Sequence, residues 1–269
     1  MTVGVVFRPQ QPPEDLEEVV RAADEAGVPE LWLWEDCFLE GGLTAATAAL
    51  AWSQKVRVGV GLLPVPLRNP ALVAMEVATL ARLWPDRLLP TLGHGVDEWM
   101  AQVGAAVESP MTLLREYVDA VRDLLDGQRV DVAGRYVRLD GVALDWPPAR
   151  RPPLLVGARG PRTIRLAGEA GDGVLLDSVT DAATVRRARL LVDEGRGASG
   201  RPGRAVVKAY TQVDPAQAPG PLAEQVAERV ARLSEAGADT VVLQGTGERP
   251  DPRSLIVALA TAGLLPATG

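Results

Sequence analysis

The sequence predicts an α/β fold of the (β/α)8 TIM-barrel type, and three observations predict it. Short apolar runs, each bounded by Gly, Pro or Asp, recur eight times along the chain. Between most of them lie segments with apolar residues at three- and four-residue spacing, the pattern of helices that lay one face on a sheet. Most runs begin about 30 residues apart, the length of one strand–crossover–strand unit. Eight such units in 269 residues match the barrel in number and size. A doubly wound open sheet shares the alternation and differs in whether the strands close.

The eight runs are VGVVF from Val3, ELWLW from Glu30, VRVGVGLL from Val56, RLLPTLG from Arg87, PLLVG from Pro153, GVLLD from Gly173, AVVKAYTQV from Ala205 and TVVLQG from Thr240. Most are apolar on consecutive residues, which suits parallel strands covered on both faces. Tyr210 and Gln212 fit this less well. In the second run Trp32 and Trp34 alternate with Leu31 and Leu33, so one pair faces inward and the other outward.

The first helical segment, DLEEVVRAADEAG, gathers Leu16, Val19, Val20 and Ala23 on one face and Glu17, Glu18, Arg21 and Asp24 on the other, and Gly27 ends it. PALVAMEVATLARLW, PRTIRLAGEAG, DAATVRRARLLVDEG, PLAEQVAERVARLSEAG and DPRSLIVALATAG repeat the theme, often with Pro or Asp first and Gly last. Asn69, before Pro70, reads as a helix N-cap. The spacing breaks once, between the fourth and fifth strands. There, over about residues 96–150, the chain carries the helix SPMTLLREYVDAVRDLLDG and then VDVAGRYVRLDG, a small hairpin around Ala133-Gly134. This is an insertion in one loop of a single domain covering 1–269.

Composition narrows the function. A formal net charge of −7 repels a phosphate backbone, so nucleic acid is not an expected partner. No apolar run approaches the ~20 residues that span a bilayer, so no membrane partner is expected either. One cysteine, Cys37, forbids an intrachain disulfide, and the start MTVGVVFRP lacks a secretory leader, which makes the cytoplasm the expected compartment. A metal site built on several imidazoles is disfavoured by a single histidine, so no metal is expected. Serine hydrolysis lacks an elbow motif, and Cys37 reads as a small filler because no second histidine exists to activate it.

In a barrel of this kind the active site lies where the strands end. The residues there are Glu35-Asp36-Cys37, Gly61-Leu62, Gly93-His94-Gly95, Gly157-Ala158-Arg159-Gly160 and Asp177-Ser178. His94 is the candidate proton donor or ligand contact, with Gly93 and Gly95 permitting close backbone approach. After the fifth strand, Gly157 and Gly160 expose backbone, Pro161 opens a helix, and Arg159 and Arg162 add positive charge; together they predict an anion site. Glu35 is either a second site carboxylate or a salt-bridge partner at the mouth. Trp99 and Met100 are candidates for lining a substrate pocket.

The segments PLLVGARGPRTIRLAGEAGDGVLLDS, VRVGVGLLPVPLRNPALVAMEVATLARLWPDR and GHGVDEWM resemble the bacterial luciferase-like monooxygenase family. Within it they are most similar to the branch that uses the deazaflavin coenzyme F420, related to methylenetetrahydromethanopterin reductases. The resemblance runs to about residue 180. It implies a barrel, usually homodimeric, that holds F420, or alternatively FMN, across the strand ends and acts on a small organic substrate. A non-catalytic relative that binds or has lost the cofactor is the third reading.

Carried onto this chain, the resemblance implies a phosphate loop at Gly157, Ala158, Arg159 and Gly160 and a non-prolyl cis peptide at Gly61-Leu62 under the ring. It also places Asp177 against the ring, Asp36 at its polar edge with a catalytic role, and His94 and Gly95 beside it. Two departures stand out. Where deazaflavin-dependent relatives have Asp-His after the second strand, this chain reads Asp36-Cys37, and where some have glutamate after the fourth, it has Val96.

Overall fold

A computed structural model describes residues 1–177, 181–214 and 220–266. Eight parallel strands close in the order β1 (Thr2–Phe7), β10 (Thr240–Gln244), β9 (Val206–Gln212), β8 (Gly173–Leu176), β7 (Leu155–Ala158), β4 (Leu88–Gly93), β3 (Arg57–Pro64) and β2 (Glu30–Leu33), which returns to β1. Each expected strand is present, and the open sheet is excluded by the pairing of β1 with both β2 and β10.

The helices follow the predicted segments: α1 (Leu16–Glu25), α3 (Pro70–Leu83), α6 (Pro161–Glu169), α7 (Ala182–Ser199), α8 (Leu222–Glu235) and α9 (Arg253–Thr261). In α1 the buried residues are Leu16, Val19, Val20 and Ala23, and Gly27 follows at φ 75°. Asn69 caps α3 by accepting a hydrogen bond from Ala71 N at 2.9 Å. The second crossover helix, α2 (Gly42–Trp52), carries no amphipathic signal, because Ala, Thr and Leu fill its sequence all round. In the insertion, α4 (Asp97–Gln102) precedes α5 (Pro110–Leu125), and β5 (Val130–Ala133) pairs antiparallel with β6 (Arg138–Val142) as the predicted hairpin.

The barrel interior is stacked in layers. Val6, Trp32, Leu89, Leu155, Leu175, Tyr210 and Val242 form the middle layer, with Trp34, just after β2, packed against it, so both tryptophans point inward and Leu31 and Leu33 pack under the helices. Gly59 makes the room: a methyl group there would lie 2.3 Å from the Trp32 ring. Below this layer, at the strand starts, the fully buried Glu30 carboxylate receives Lys208 Nζ at 2.7 and 3.0 Å, Arg57 Nη2 at 2.6 Å and Trp32 Nε1 at 3.0 Å. Thr240 Oγ1 accepts a further bond from Lys208 at 3.0 Å. The bottom of the barrel is closed by paired charge.

Candidate active site

At the other end, the strand termini surround a cavity of about 780 Å³, within the usual range for small-molecule sites. Its wall has two unlike arcs. Over β3, β4 and β7 it is nearly bare backbone. The Gly61–Leu62 peptide is cis, at an irregularity in the β3–β4 register, and Leu62 turns across the barrel. A methyl group on Gly93 would lie 2.5 Å from Leu62 Cδ2, and one on Gly157 2.4 Å from it. Gly157 borders the cavity, and the space its missing side chain leaves is taken by Leu62. Gly61 has the same relation to Tyr210, whose Oη would lie 2.3 Å from an added methyl group.

The arc over β8, β9, β10, β1 and β2 is polar and is lined by Asp177, Gln212, Gln244, Arg8, Trp34 and Asp36. Arg8 Cζ stacks 4.9 Å above the Trp34 ring, and its Nη1 donates to the Gly245 carbonyl at 2.8 Å. Burial pushes the Asp36 carboxyl above the ordinary carboxylate range; Asp177 pushes the same way and Arg8 opposes both. A group in that state can hold a proton closer to neutral pH than a free aspartate can.

Glu35 and Asp36 separate as adjacent residues of an extended segment must. Glu35 accepts Arg68 Nη2 at 2.7 Å, with Nη1 also in contact, and Gly42 N at 2.7 Å. The predicted salt bridge is formed, the Gly42 contact ties the β2 loop to the start of α2, and Glu35 also borders the cavity. The Cys37 thiol is only half-buried, which corrects the reading of it as an interior filler, and burial together with the Glu35 and Asp36 carboxylates holds its pKa up.

His94 lies at the end of β4 and borders the cavity. Its Nε2 is 3.3 Å from Thr163 Oγ1 in the first turn of α6, and that hydroxyl donates to Met111 Sδ at 3.4 Å. Burial lowers the imidazole pKa; Asp97 and the Pro110 backbone work against it. The next residue, Gly95, has φ 73°, and Met100 packs behind it, outside the cavity lining, while Trp99 is part of that lining.

The predicted anion loop forms the remaining corner. Gly160 is the N-cap of α6, no side chain caps the helix, and Pro161 occupies its first turn. Nothing lies within 4 Å of where a Gly160 side chain would be. The amides of the first turn are thus open to an anion. Arg159 is exposed and pairs with Asp177, Nε to Oδ2 at 2.6 Å, so an anion here would compete with that carboxylate. Ser178, also named from the sequence, lies outside the described residues.

Sequence reasoning passed over Arg8, Trp34, Gln212 and Gln244 as site residues. Their signal was present, since a polar or amphipathic side chain on the last inward position of an otherwise apolar strand faces the mouth. Tyr210 and Gln212 are also the residues of the seventh run that least suit a strand buried on both faces.

The model of the luciferase-like monooxygenase family matches residues 1–218. The 5,10-methylenetetrahydromethanopterin reductase of Methanolobus tindarius is 26% identical over 178 residues, covering 66% of this chain and 54% of that protein. The F420-dependent glucose-6-phosphate dehydrogenase of Kineococcus radiotolerans is 31% identical over 227 residues, covering 77% and 66%. The chain thus spans roughly half to two thirds of the length of these relatives. Among solved structures, an F420-dependent secondary alcohol dehydrogenase in complex with an F420-acetone adduct superposes with a TM-score of 0.85 at 21% identity, covering 97% of both chains. That likeness is one of fold.

Proposed function

The chain belongs to the luciferase-like monooxygenase family, and from that premise we propose that it is an oxidoreductase using coenzyme F420 for hydride transfer to or from a small organic substrate. The observation that carries the reading is the corner at Gly160, where an uncapped helix start meets empty space beside a bare glycine arc. A flat ring with an acidic tail fits that combination. Gly157, Ala158, Arg159 and Gly160 would hold the tail; Gly61 and Leu62 would support the ring; and Asp36, His94, Gly95 and Asp177 would surround it. When bound, F420 supplies a carbon centre that gives or takes a hydride.

The chain's own residues supply position, dryness and a proton site. Leu62, Leu175 and Tyr210 close the bottom of the cavity and keep water from below. Asp36, with its raised pKa, holds or releases a proton at its carboxyl oxygen, the role left vacant where Cys37 follows it. His94, with its pKa lowered, enters as a neutral hydrogen-bonding group. FMN would use the same loop and the same glycine arc. It is the alternative cofactor.

The protein works as a homodimer in this reading, supported by Leu72, Met75 and Leu83, large apolar side chains left exposed on α3. Among the described residues no helix is long and apolar enough to cross a membrane, which is in keeping with a cytoplasmic enzyme.

The test is to titrate the protein with F420, FMN and NADPH side by side, reading fluorescence and identifying the bound species by mass. F420 is expected to bind most tightly. Tighter FMN binding would transfer the reading to a flavin enzyme, and binding of none would leave a non-catalytic relative.

A further inference from the structure

We propose that the β9–β10–β1–β2 arc of the mouth is a substrate subsite that takes a small neutral molecule through a hydroxyl or carbonyl oxygen, held by Gln244, Tyr210 and Trp34. The inference rests on the reading that a redox cofactor lies on the glycine arc opposite, and it deepens that reading by naming the substrate class.

Three inward polar atoms on this arc, Gln244 Oε1, Tyr210 Oη and Trp34 Nε1, are buried yet make no hydrogen bond of full geometry with any described residue. Gln244 is 3% exposed and Tyr210 2%, and all three side chains line the cavity. The Trp34 indole and the Tyr210 hydroxyl do interact with each other, which lowers the phenol's pKa, while burial, the larger effect, raises it well above its ordinary value. A polar atom buried without a partner loses its bonds to water and gains none in return. Gln244 Oε1 and the Trp34–Tyr210 pair, on residues that border one cavity, thus have hydrogen-bonding capacity that the fold leaves unused, and this points to a partner that arrives from outside.

Topology keeps the set together. Gln244 ends β10, Tyr210 pairs in register with Val242 on the same strand pair, and Trp34 follows β2. The Trp34 and Tyr210 ring centroids are 6.0 Å apart. β1 lies between β10 and β2, and its Arg8 links them by stacking on Trp34 and bonding to Gly245. The phenol crosses the barrel to Gly61, so its hydroxyl stands at the boundary between the ring platform and this arc.

The chemistry of the atoms selects the ligand. Gln244 Oε1 accepts, Trp34 Nε1 only donates, and the Tyr210 hydroxyl does both. A hydroxyl oxygen, which donates and accepts, complements all three; a carbonyl oxygen complements the two donors. Charge selects against an anion. Arg8 faces Asp36, Arg159 is paired with Asp177, and Asp97 and Glu98 add negative charge to the rim. A carboxylate or phosphate ester would meet Arg8, whose charge Asp36 opposes, in a lining whose acidic side chains outnumber its arginines.

Saturation-transfer NMR tests this with cyclohexanol, cyclohexanone and cyclohexanecarboxylate as probes, on protein with and without F420, while F420 affinity is read separately by fluorescence. Cyclohexanol and cyclohexanone are expected to bind, and the carboxylate at least about tenfold more weakly, a difference of ~1.4 kcal/mol. Gln244→Leu should weaken cyclohexanol by about fivefold, within the range for a lost hydrogen bond, and leave cyclohexanone and F420 nearly unchanged. Tyr210→Phe should weaken both neutral probes. Equal binding of the carboxylate, no binding of any probe, or an unchanged cyclohexanol affinity in both variants would overturn the subsite. Failure of F420 to bind while the probes behave as expected would overturn the cofactor reading alone and leave the subsite standing.

Discussion

The two ends of this barrel handle buried polarity in opposite ways. At the strand starts Glu30 is wholly enclosed, yet its carboxylate meets Lys208, Arg57 and Trp32, and Lys208 also reaches Thr240. At the strand ends Gln244 Oε1, Tyr210 Oη, Trp34 Nε1 and His94 Nδ1 are buried without hydrogen bonds of full geometry among the described residues. The same fold thus contains one polar cluster that is complete and one that is not. Completeness serves stability, since a satisfied buried network fixes the strand register and closes the core. Incompleteness marks a surface made for something else, because folding alone does not reward it.

Breaking the satisfied end should give the largest effect. Glu30→Leu leaves the Lys208 ammonium buried without its partner, and removal of one member of such a pair costs about 3–5 kcal/mol. For a chain of this size that corresponds to a fall in Tm on the order of 10 °C, measurable by calorimetry. F420 affinity should be little changed, because the layer of Trp32, Leu89 and Tyr210 separates the pair from the mouth. Glu30→Leu combined with Lys208→Met should recover part of the loss. A Tm within a degree of the parent would show that the floor is not the stabilising cluster described.

At the unsatisfied end the expectation reverses, and stability and binding should move apart. Gly160 is the N-cap of α6 with φ −87°, open space around it and no capping side chain. Gly160→Asp supplies a capping carboxylate and should stabilise the helix by a few tenths of a kcal/mol, roughly the difference between Gly and Asp at this position. The same carboxylate occupies the amides an anionic tail would need, so F420 affinity should fall by about tenfold or more. Unaltered affinity in that variant would remove α6 from the cofactor site.

The barrel was legible because its signals are local and repeated. Eight apolar runs at regular spacing, an N-cap at Asn69 and a hairpin around Gly134 need no knowledge of tertiary contact. The helix α2 was not legible, since its exposed face carries Thr44, Thr47 and Ala51 in place of charged residues and so gives no contrast with the buried Ala and Leu face. Of the candidate site, the strand-end positions could be located, and with them His94, Asp36 and the Gly160 loop as cavity residues. What could not be read was partnership. Gly157 makes room for Leu62, Glu35 goes to Arg68, and Arg159 goes to Asp177, choices that depend on which strands become neighbours across the barrel. Arg8, Gln212 and Gln244 escaped because each is ordinary alone and significant only as a member of an inward ring.

The smallest effect expected is also the one that probes the mouth most directly, at Asp36. Its carboxyl keeps its proton to a higher pH in the folded chain than in the unfolded one, where the aspartate pKa is about 3.9. Between those two values the native state binds more protons. Stability therefore falls as pH rises through the window and remains lower above it. Asp36→Asn removes this penalty. The variant should melt at a higher temperature than the parent at pH 8 and at nearly the same temperature well below pH 4, with a gain of no more than about 1 kcal/mol because the group is partly exposed and screened. A gain that is equal at both pH values would mean that packing, not ionisation, is responsible. A loss at pH 8 would mean that Arg8 outweighs burial and Asp177, and that Asp36 belongs with the satisfied charges of the floor.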